Sequence, residues 1–322
     1  MGIGNSLLVA VRRYAAGIDV GPHAVRIVVL SQRTRGRMPP RLEYLAAVPL
    51  AEGALAGAEI VERNAVVRAL RTLLAGLPRA LASQAPGCAM ALPASATLVS
   101  RVPFARLATT GVEAGSPNAL EAAVQGEAER IAGIERHALA VDWFVDGGGG
   151  DDVSLTIAAA ARQHLEARIE CAAAASITLT AVDGEAHAAL RAMRLAASQE
   201  LGQPRSYAAL WIGAEGLFGW RIVEDAVAAE MRYPAPGYTD CAEALRALAG
   251  DDAPACALLG GELELLADMG VSVADLGDVL GCTVLPFECG ALGEAADGLP
   301  EDLLHQPACV VAFGLALRGL IE

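Results

Sequence analysis

The sequence predicts an α/β protein built from two similar halves, each with a mixed sheet. Strand-like and helix-like segments alternate along 322 residues, which is long enough for two or three packed units. Two strand–turn–strand units match each other: residues 16–30 turn at Gly21, and residues 209–217 turn at Gly213. A polar segment over 199–204, closed by a proline, separates the halves. A similar unit at the start of each half is typical of a duplicated fold.

The first strand–turn–strand unit carries one carboxylate and one glycine at its turn. Apolar and β-branched residues on either side favour two strands. Gly21 permits a tight turn and leaves room for a large ligand group near the backbone. Asp19, at the end of the first strand, is suited to hold a hydrated metal ion opposite that group. The same residues also fit an ordinary hairpin whose aspartate caps its own turn.

Periodicity predicts the remaining elements. Apolar residues at helical spacing indicate helices over 62–77, 118–131, 162–175, 183–197, 239–248, 263–269 and 308–319. Apolar or β-branched runs indicate strands over 42–49, 88–93, 97–104, 138–145, 153–160, 177–182, 226–232, 255–259 and 284–287. Leu165, Ile169, Ala172 and Ala173 are the expected apolar stripe of the helix over 162–175. The glycine run over 147–150 indicates a hairpin turn, because no helix follows it to complete a phosphate-binding loop.

Composition narrows the class of protein. A hydrophobic content of 54% with 19% charged residues indicates a folded chain. The net charge of −14 argues against general nucleic-acid binding. There is no lysine, and seven of the 24 arginines lie within residues 1–42, against Asp19 as the single acidic residue there. We interpret this basic end as a solvated face in preference to a surface that contacts an anionic membrane.

The cysteines and histidines give no sign of a catalytic or metal centre. Seven cysteines without a Cys-x-x-Cys pair suit a reducing cytosol. The five histidines have no metal-ligand spacing. No apolar run reaches the roughly 18 residues of a membrane span. We therefore expect a cytoplasmic protein.

Short motifs follow one another in a characteristic order along nearly the whole chain. After the first hairpin they are Ala91-Leu92-Pro93, residues 125–134 with Glu127 and Glu129, Val141-Asp142-Trp143, residues 157–160, residues 181–185, Leu259-Gly260-Gly261 and residues 313–319. Together they resemble the PilM family, the actin-like proteins of type IV pilus assembly, and its competence-associated relatives. The ending Gly314-Leu315-Ala316-Leu317-Arg318 is the most telling single motif.

The resemblance implies the actin-like (ribonuclease H-like) fold, a duplicated two-lobed α/β body with a small inserted α+β domain. Residues 1–85 and 162–200 would form the first lobe, 86–161 the inserted domain and 201–322 the second lobe. It also implies a cytoplasmic adaptor peripheral to the inner membrane. Such an adaptor binds the cytoplasmic tail of a PilN-like inner-membrane protein in a groove between the inserted domain and its lobe. The adaptor would associate with the membrane by binding that partner. The resemblance also allows pilus motor ATPases and further copies of the chain as partners.

ATP and Mg²⁺ are the cofactors that the resemblance implies. The corresponding residues are Asp19, Gly21, Arg26, Glu185, Gly213, Gly260, Gly261 and Gly314. Asp19 and Gly21 would face the β- and γ-phosphates, with Asp19 on the metal side. Gly213 would complete the second phosphate hairpin, and Gly260 and Gly261 would let adenosine pass close to the backbone. Glu185, with Asp183, would be the acidic residue that orients water.

Several residues depart from the family pattern. Pro22 and His23 stand where hydroxyl side chains usually bind phosphate, and proline has no backbone N–H. Trp211 stands where the second hairpin usually has an aspartate, and Glu262 follows the two glycines where a small residue is frequent. Because phosphoryl transfer depends on positioning and charge stabilisation, we predict weak or absent ATP hydrolysis. Nucleotide binding itself stays open.

Three alternative functions share the fold. An active small-molecule kinase or ATPase would need an acidic base and an intact second hairpin, and Trp211 argues against it. A polymerising relative of FtsA would carry a membrane helix after a linker, whereas this sequence reaches Glu322 soon after its last predicted helix. A GspL-like secretion protein would continue into a membrane span. The adaptor is therefore the preferred interpretation.

Overall fold

The first lobe begins with an antiparallel meander. The structure, a computed structural model, describes residues 12–34, 38–108, 117–146, 154–202, 204–234 and 241–321. Strands β1 (Arg12–Val20), β2 (Ala24–Arg33) and β3 (Arg41–Pro49) pair in order. A small hairpin of β4 (Leu55–Ala56) and β5 (Glu59–Ile60), then helices α1 (Arg63–Ala75) and α2 (Arg79–Ala82), lead to β6 (Gly87–Leu92). Strand β6 pairs in parallel with β1.

The inserted domain is a three-stranded antiparallel sheet with a helix on one face. It comprises β7 (Leu98–Pro103), α3 (Phe104–Ala108), α4 (Pro117–Ala132), β8 (Leu139–Asp146) and β9 (Ser154–Ala161). The strand order is β7-β9-β8. Leu139, Leu155 and Ile157 pack against Val124 and Ala128 of α4. The domain begins after β6 instead of at residue 86, because β6 belongs to the sheet of the first lobe.

The chain then completes the first lobe and builds the second. Helix α5 (Arg162–Ala174), strand β10 (Leu179–Gly184) and helix α6 (Glu185–Glu200) are followed by β11 (Ser206–Gly213), β12 (Gly216–Val223) and β13 (Ala226–Pro234). Next come α7 (Cys241–Ala249), β14 (Ala257–Gly261), α8 (Glu264–Asp268), α9 (Val273–Leu280), β15 (Val284–Pro286), α10 (Glu301–Leu304) and α11 (Val310–Ile321).

The two large sheets share one topology. In the first lobe the order is β3-β2-β1-β6-β10, and in the second it is β13-β12-β11-β14-β15. In each, an antiparallel meander of three strands is extended by two parallel strands beside the first strand. This duplication confirms the predicted actin-like, two-lobed fold.

The closing helix α11 packs on the first lobe, although residues 201–322 were assigned to the second. It lies against β1 and α6 within the largest apolar cluster. Gly314 sits where α11 crosses α6, and a methyl group there would overlap the carbonyl oxygen of Ala188. Gly17 of β1 faces α11 with equally little space, since a methyl group there would overlap the carbonyl oxygen of Ala312. The last helix therefore completes the packed core of the first lobe.

The strands and helices predicted from periodicity are present in the described residues, with ends that differ by up to three residues, and both hairpins are longer than the predicted units. Asp183 is in β10 and not in the following helix, which begins at Glu185. The predicted stripe of α5 is wrong at Ile169 and Ala173, which are exposed, whereas Arg168 is buried. Helix α9 was not predicted, although Ser272 and Asp275 form a capping box at its start. The glycine run over 147–150 lies outside the described residues.

The basic amino-terminal segment is not a uniform solvated face. Arg26 is buried, and Arg12 and Arg41 form ion pairs with Glu43. Arg35 and Arg37 lie outside the described residues. Among the helices that the structure describes, none combines the length and the apolar character needed to cross a membrane.

Candidate functional site

The turns of the two large hairpins face each other across a small cavity between the lobes. The turn of β1 and β2 contributes Gly21, and the turn of β11 and β12 contributes Gly213. The cavity has a volume of about 100 Å³, and we call it the interlobe cleft. The structure brings the following predicted site residues to it: Asp19, Gly21, Arg26, Glu185, Gly213 and Gly261.

Asp19 and Arg26 are direct cross-strand partners on β1 and β2. Both side chains are buried, each residue being 6% exposed. Arg26 Nη1 lies 3.6 Å from Asp19 Oδ2. Burial raises the pKa of Asp19 to about 6, against the attraction of Arg26, while the charge of Glu262 raises it further. Asp19 therefore lies in a poorly solvated site that already contains its counter-charge.

Arg26 also reaches across the cleft to the second lobe. Its Nη2 donates a hydrogen bond of 3.2 Å to Oε1 of Glu262, the residue after β14. His23, in the first turn, lies 4.0 Å from the other oxygen of Glu262. Burial alone would lower the pKa of Arg26, but Asp19 and Glu262 outweigh it and raise the pKa. The guanidinium thus lies between two carboxylates, one from each lobe.

The turn of the second hairpin makes another contact with the first lobe. Glu215 accepts hydrogen bonds from the backbone N–H and the hydroxyl of Ser95. Ser95 lies in a 3₁₀ turn, Ala94–Ala96, that connects β6 to the inserted domain. Arg232 of β13 lies 3.6 Å from Glu215. Both hydrogen-bond donors of Ser95 are therefore already paired with a carboxylate of this chain.

Glu185 lines the cleft from the first turn of α6. Burial raises its pKa well above the usual value, and the charges of Asp19 and Glu215 add to that effect. Arg168 of α5 lowers this pKa. Arg168 is 1% exposed, and its Nε donates a hydrogen bond of 2.7 Å to the carbonyl oxygen of Ala91. Its charge is therefore held behind the cleft wall.

A larger cavity lies between the inserted domain and the first lobe. Its volume is about 440 Å³, and we call it the inserted-domain groove. The wall on the inserted sheet is formed by side chains that include Val99, Ala140, Phe144, Thr156 and Ala158. Phe144 is 58% exposed, whereas Trp143 packs against the core of the inserted domain. The groove therefore presents apolar surface that the described residues leave uncovered.

The floor of the inserted-domain groove is polar. Asp183, at the end of β10, lies 2.9 Å from Arg191 and 3.4 Å from Arg318. Burial lowers the pKa of His187, which lies beside this ion-pair network. Asp183 thus lines the groove and not the interlobe cleft. An apolar wall over a floor of fixed charges is suited to a peptide.

Comparison with protein families identifies the chain. The model of the family "Type IV pilus assembly protein PilM" matches residues 17–215. The chain belongs to the PilM family.

One solved structure supports the fold, and two others are more distant. A chain of a PilM-PilN type IV pilus biogenesis complex is 21% identical, with 95% of this chain and 98% of that chain covered and a TM-score of 0.72. The ethanolamine utilization protein EutJ from Carboxydothermus hydrogenoformans is 14% identical over 94% and 89%, with a TM-score of 0.46. The cytoplasmic domain of EpsL, an inner membrane component of the type II secretion system of Vibrio cholerae, is 13% identical over 76% and 80%, with a TM-score of 0.39.

Mg²⁺-ATP does not fit the interlobe cleft of this PilM chain. Ligand pockets of drug size start at roughly 300 Å³, and the cleft has about 100 Å³. Four carboxylates line it, those of Asp19, Glu185, Glu215 and Glu262. In the described residues no three His, Cys, Asp or Glu side chains come together as metal ligands. The buried Arg26 Nε has no hydrogen-bond partner among these residues, and that single donor suits a water or a small anion.

Two predicted nucleotide-binding glycines have packing roles. Gly260 does not line the cleft, and a methyl group there would lie 2.9 Å from Val310. Gly314 lies at the crossing of α11 and α6 and is also outside the cleft. Trp211 lines the cleft, with its ring centroid 5.0 Å from that of Phe218. Its indole therefore lies where the family pattern has a carboxylate.

Three residues in or next to the cleft were missed from sequence. Glu215 stands in the second turn, but it was given no role. Ser95 was not recognised because its partner Glu215 is 120 positions away. Arg168 lies three residues after Leu165 and four before Ala172, on the predicted stripe of α5. That spacing was the one signal of a buried cation.

Proposed function

We propose that this PilM protein is an adaptor whose inserted-domain groove binds the cytoplasmic tail of a PilN-like inner-membrane protein. The groove is the observation that carries the proposal, because it offers about 440 Å³ beside the exposed Phe144. Membership of the PilM family and the likeness to a chain from a PilM-PilN complex support the partner. An apolar anchor with a polar surround is the usual composition of a peptide-binding site.

A binding assay with a matched control tests the adaptor function. The probe is a labelled peptide of the cytoplasmic tail of a PilN-like protein from the same organism, titrated by fluorescence anisotropy. Phe144→Ala should weaken binding at least about tenfold, as expected of an aromatic anchor. Val145→Ala is the control, because Val145 is the next residue, is 49% exposed and does not line the groove. Equal affinities for both variants would contradict the proposal.

The adaptor function requires no catalytic turnover, and we expect ATP hydrolysis to be weak or absent. Pro22 offers no backbone N–H to a phosphate, and Trp211 supplies no carboxylate. Phosphoryl transfer depends on such positioning and charge. Purified protein with labelled ATP and Mg²⁺ tests this expectation, and turnover at ordinary ATPase rates would contradict it.

The partner also determines the proposed location. Binding to the tail of an inner-membrane protein would hold the chain at the cytoplasmic side of that membrane. In cell fractionation, the protein should sediment with membranes when the PilN-like gene is present and lose that association when the gene is deleted. Membrane association that is independent of the partner would contradict this part of the proposal.

A further inference from the structure

We propose that the interlobe cleft is an ionic clasp that holds the two lobes closed without a nucleotide. The clasp has two contacts between the lobes. In one, Arg26 bridges Asp19 and Glu262. In the other, Glu215 binds Ser95. The inference goes beyond the adaptor function and does not depend on it.

The first contact occupies the place between the hairpin turns. Arg26 and Asp19 belong to β1 and β2 of the first lobe, whereas Glu262 belongs to the second lobe. The Nη2–Oε1 distance of 3.2 Å between Arg26 and Glu262 is within hydrogen-bond range. Arg26 therefore supplies, from within the chain, the positive charge that neutralises carboxylates of both lobes. A bound metal ion is not needed for that purpose.

The second contact occupies the turn of the other hairpin. The Glu215 carboxylate is held by the N–H and the hydroxyl of Ser95, which are the kinds of donor that bind phosphate oxygens. A phosphate that bound these donors would have to displace Glu215. The phosphate would then face this displaced carboxylate and that of Glu262 in the same small cavity. Charge repulsion in a poorly solvated site makes this exchange unfavourable.

The two contacts lie at different positions in the chain but close the same interface. Arg26 and Glu262 are 236 residues apart, and Ser95 and Glu215 are 120 apart. Contacts between such distant segments form only when the lobes come together. Weakening either contact should therefore open the lobes and lower the thermal stability of the whole chain.

Nucleotide titration is the first arm of the test. Isothermal titration calorimetry of the full chain with Mg²⁺-ATP up to 1 mM should show no saturable binding. The melting temperature should shift by less than about 1 °C at the same concentration, since a ligand stabilises a protein only when it exceeds its dissociation constant. Saturable binding below 1 mM would overturn the inference.

A double-mutant cycle is the second arm. Arg26→Gln and Glu262→Gln should each lower the melting temperature by about 5 °C or more, as expected when one partner of a buried pair is removed. The decrease in melting temperature of the double variant should be smaller than the sum of the two single decreases, because both variants remove the same interaction. Strictly additive shifts would overturn the clasp. If Arg26→Gln fails to fold, the same cycle with Ser95→Ala and Glu215→Ala replaces it.

The matched control is Arg63→Gln. Arg63 pairs with Glu170 on the surface, where both side chains are more than half exposed. Its loss should change the melting temperature by no more than about 2 °C, because exposed ion pairs contribute little.

Hydrogen exchange adds a local measurement. Glu215→Ala should accelerate exchange in the turn at residues 213–216, and unchanged exchange there would overturn the second contact.

Discussion

The interlobe cleft and the inserted-domain groove meet at the start of α6, where Glu185 lines the cleft and His187 lines the groove. The two cavities differ in whether their side chains contact one another or remain exposed. In the cleft, charged groups of the two lobes pair with one another in about 100 Å³. In the groove, about 440 Å³ lies beside Phe144, which the described residues leave exposed. The difference indicates that one fold can satisfy its charges within one cavity and leave apolar surface open in another.

The largest expected effect tests the close packing of α11 against α6. Gly314→Ala should lower the free energy of unfolding by about 3 kcal/mol, because the added methyl group overlaps the carbonyl oxygen of Ala188. Urea denaturation measures this difference. Gly126→Ala is the control, since a methyl group there has open space in α4 and should stabilise the helix by about 0.5–1 kcal/mol. Destabilisation of similar size in both variants would contradict the packing role of Gly314.

The next effect tests the groove. Ala158→Arg would place a long charged side chain on the apolar wall formed by β9. We expect tail-peptide affinity to fall about thirtyfold, equivalent to about 2 kcal/mol, while the melting temperature is kept. Fluorescence anisotropy measures the affinity, and calorimetry checks the fold. Unchanged affinity in a folded variant would place the peptide elsewhere.

A smaller effect tests the electrostatics of the cleft through pH. The raised pKa of Asp19, about 6 against the usual 3.8, means that the folded state holds this proton more tightly than the unfolded state. The contribution of this group to the free energy of unfolding is therefore lost as pH rises from about 4 towards 6. As the pH rises from about 5 to 7.5, the free energy of unfolding of Asp19→Asn should increase by about 1.4 kcal/mol relative to that of the wild type. Urea denaturation at each pH measures the difference. A difference that does not vary with pH would contradict the burial of this carboxylate, and Asp302→Asn controls for the loss of one exposed charge.

Local sequence patterns predicted the α/β class and the duplicated halves, whereas the actin-like fold was implied by the family resemblance. The hairpins around Gly21 and Gly213 have apolar and β-branched strands on both sides of a turn, so their form depends on neighbouring residues. The repeat then predicts two related lobes, and both sheets have the same strand order. Helix α9 was not predicted, although the capping box of Ser272 and Asp275 is a local signal of its start.

The chemistry of the cleft could not be predicted in the same way. The bridge from Arg26 to Glu262 depends on how two distant segments meet and on the rotamers they adopt. The burial of Arg168 in place of Ile169 depends on which face of α5 meets the sheet, a rotation that alanine-rich helices specify weakly. Gly260 and Gly314 were assigned to a nucleotide motif, and their packing roles depend on neighbours that are distant in the sequence.

The central claim is that the groove, and not the cleft, is the working site of this PilM protein. The most direct measurement is the affinity of the labelled PilN-like tail peptide for the full chain with and without 1 mM Mg²⁺-ATP. We predict saturable binding with the same dissociation constant, within about twofold, in both conditions. A cleft that does not bind the nucleotide should change the free energy of peptide binding by no more than the corresponding value of about 0.4 kcal/mol. Binding that appears only with Mg²⁺-ATP, or strengthens tenfold with it, would contradict the account.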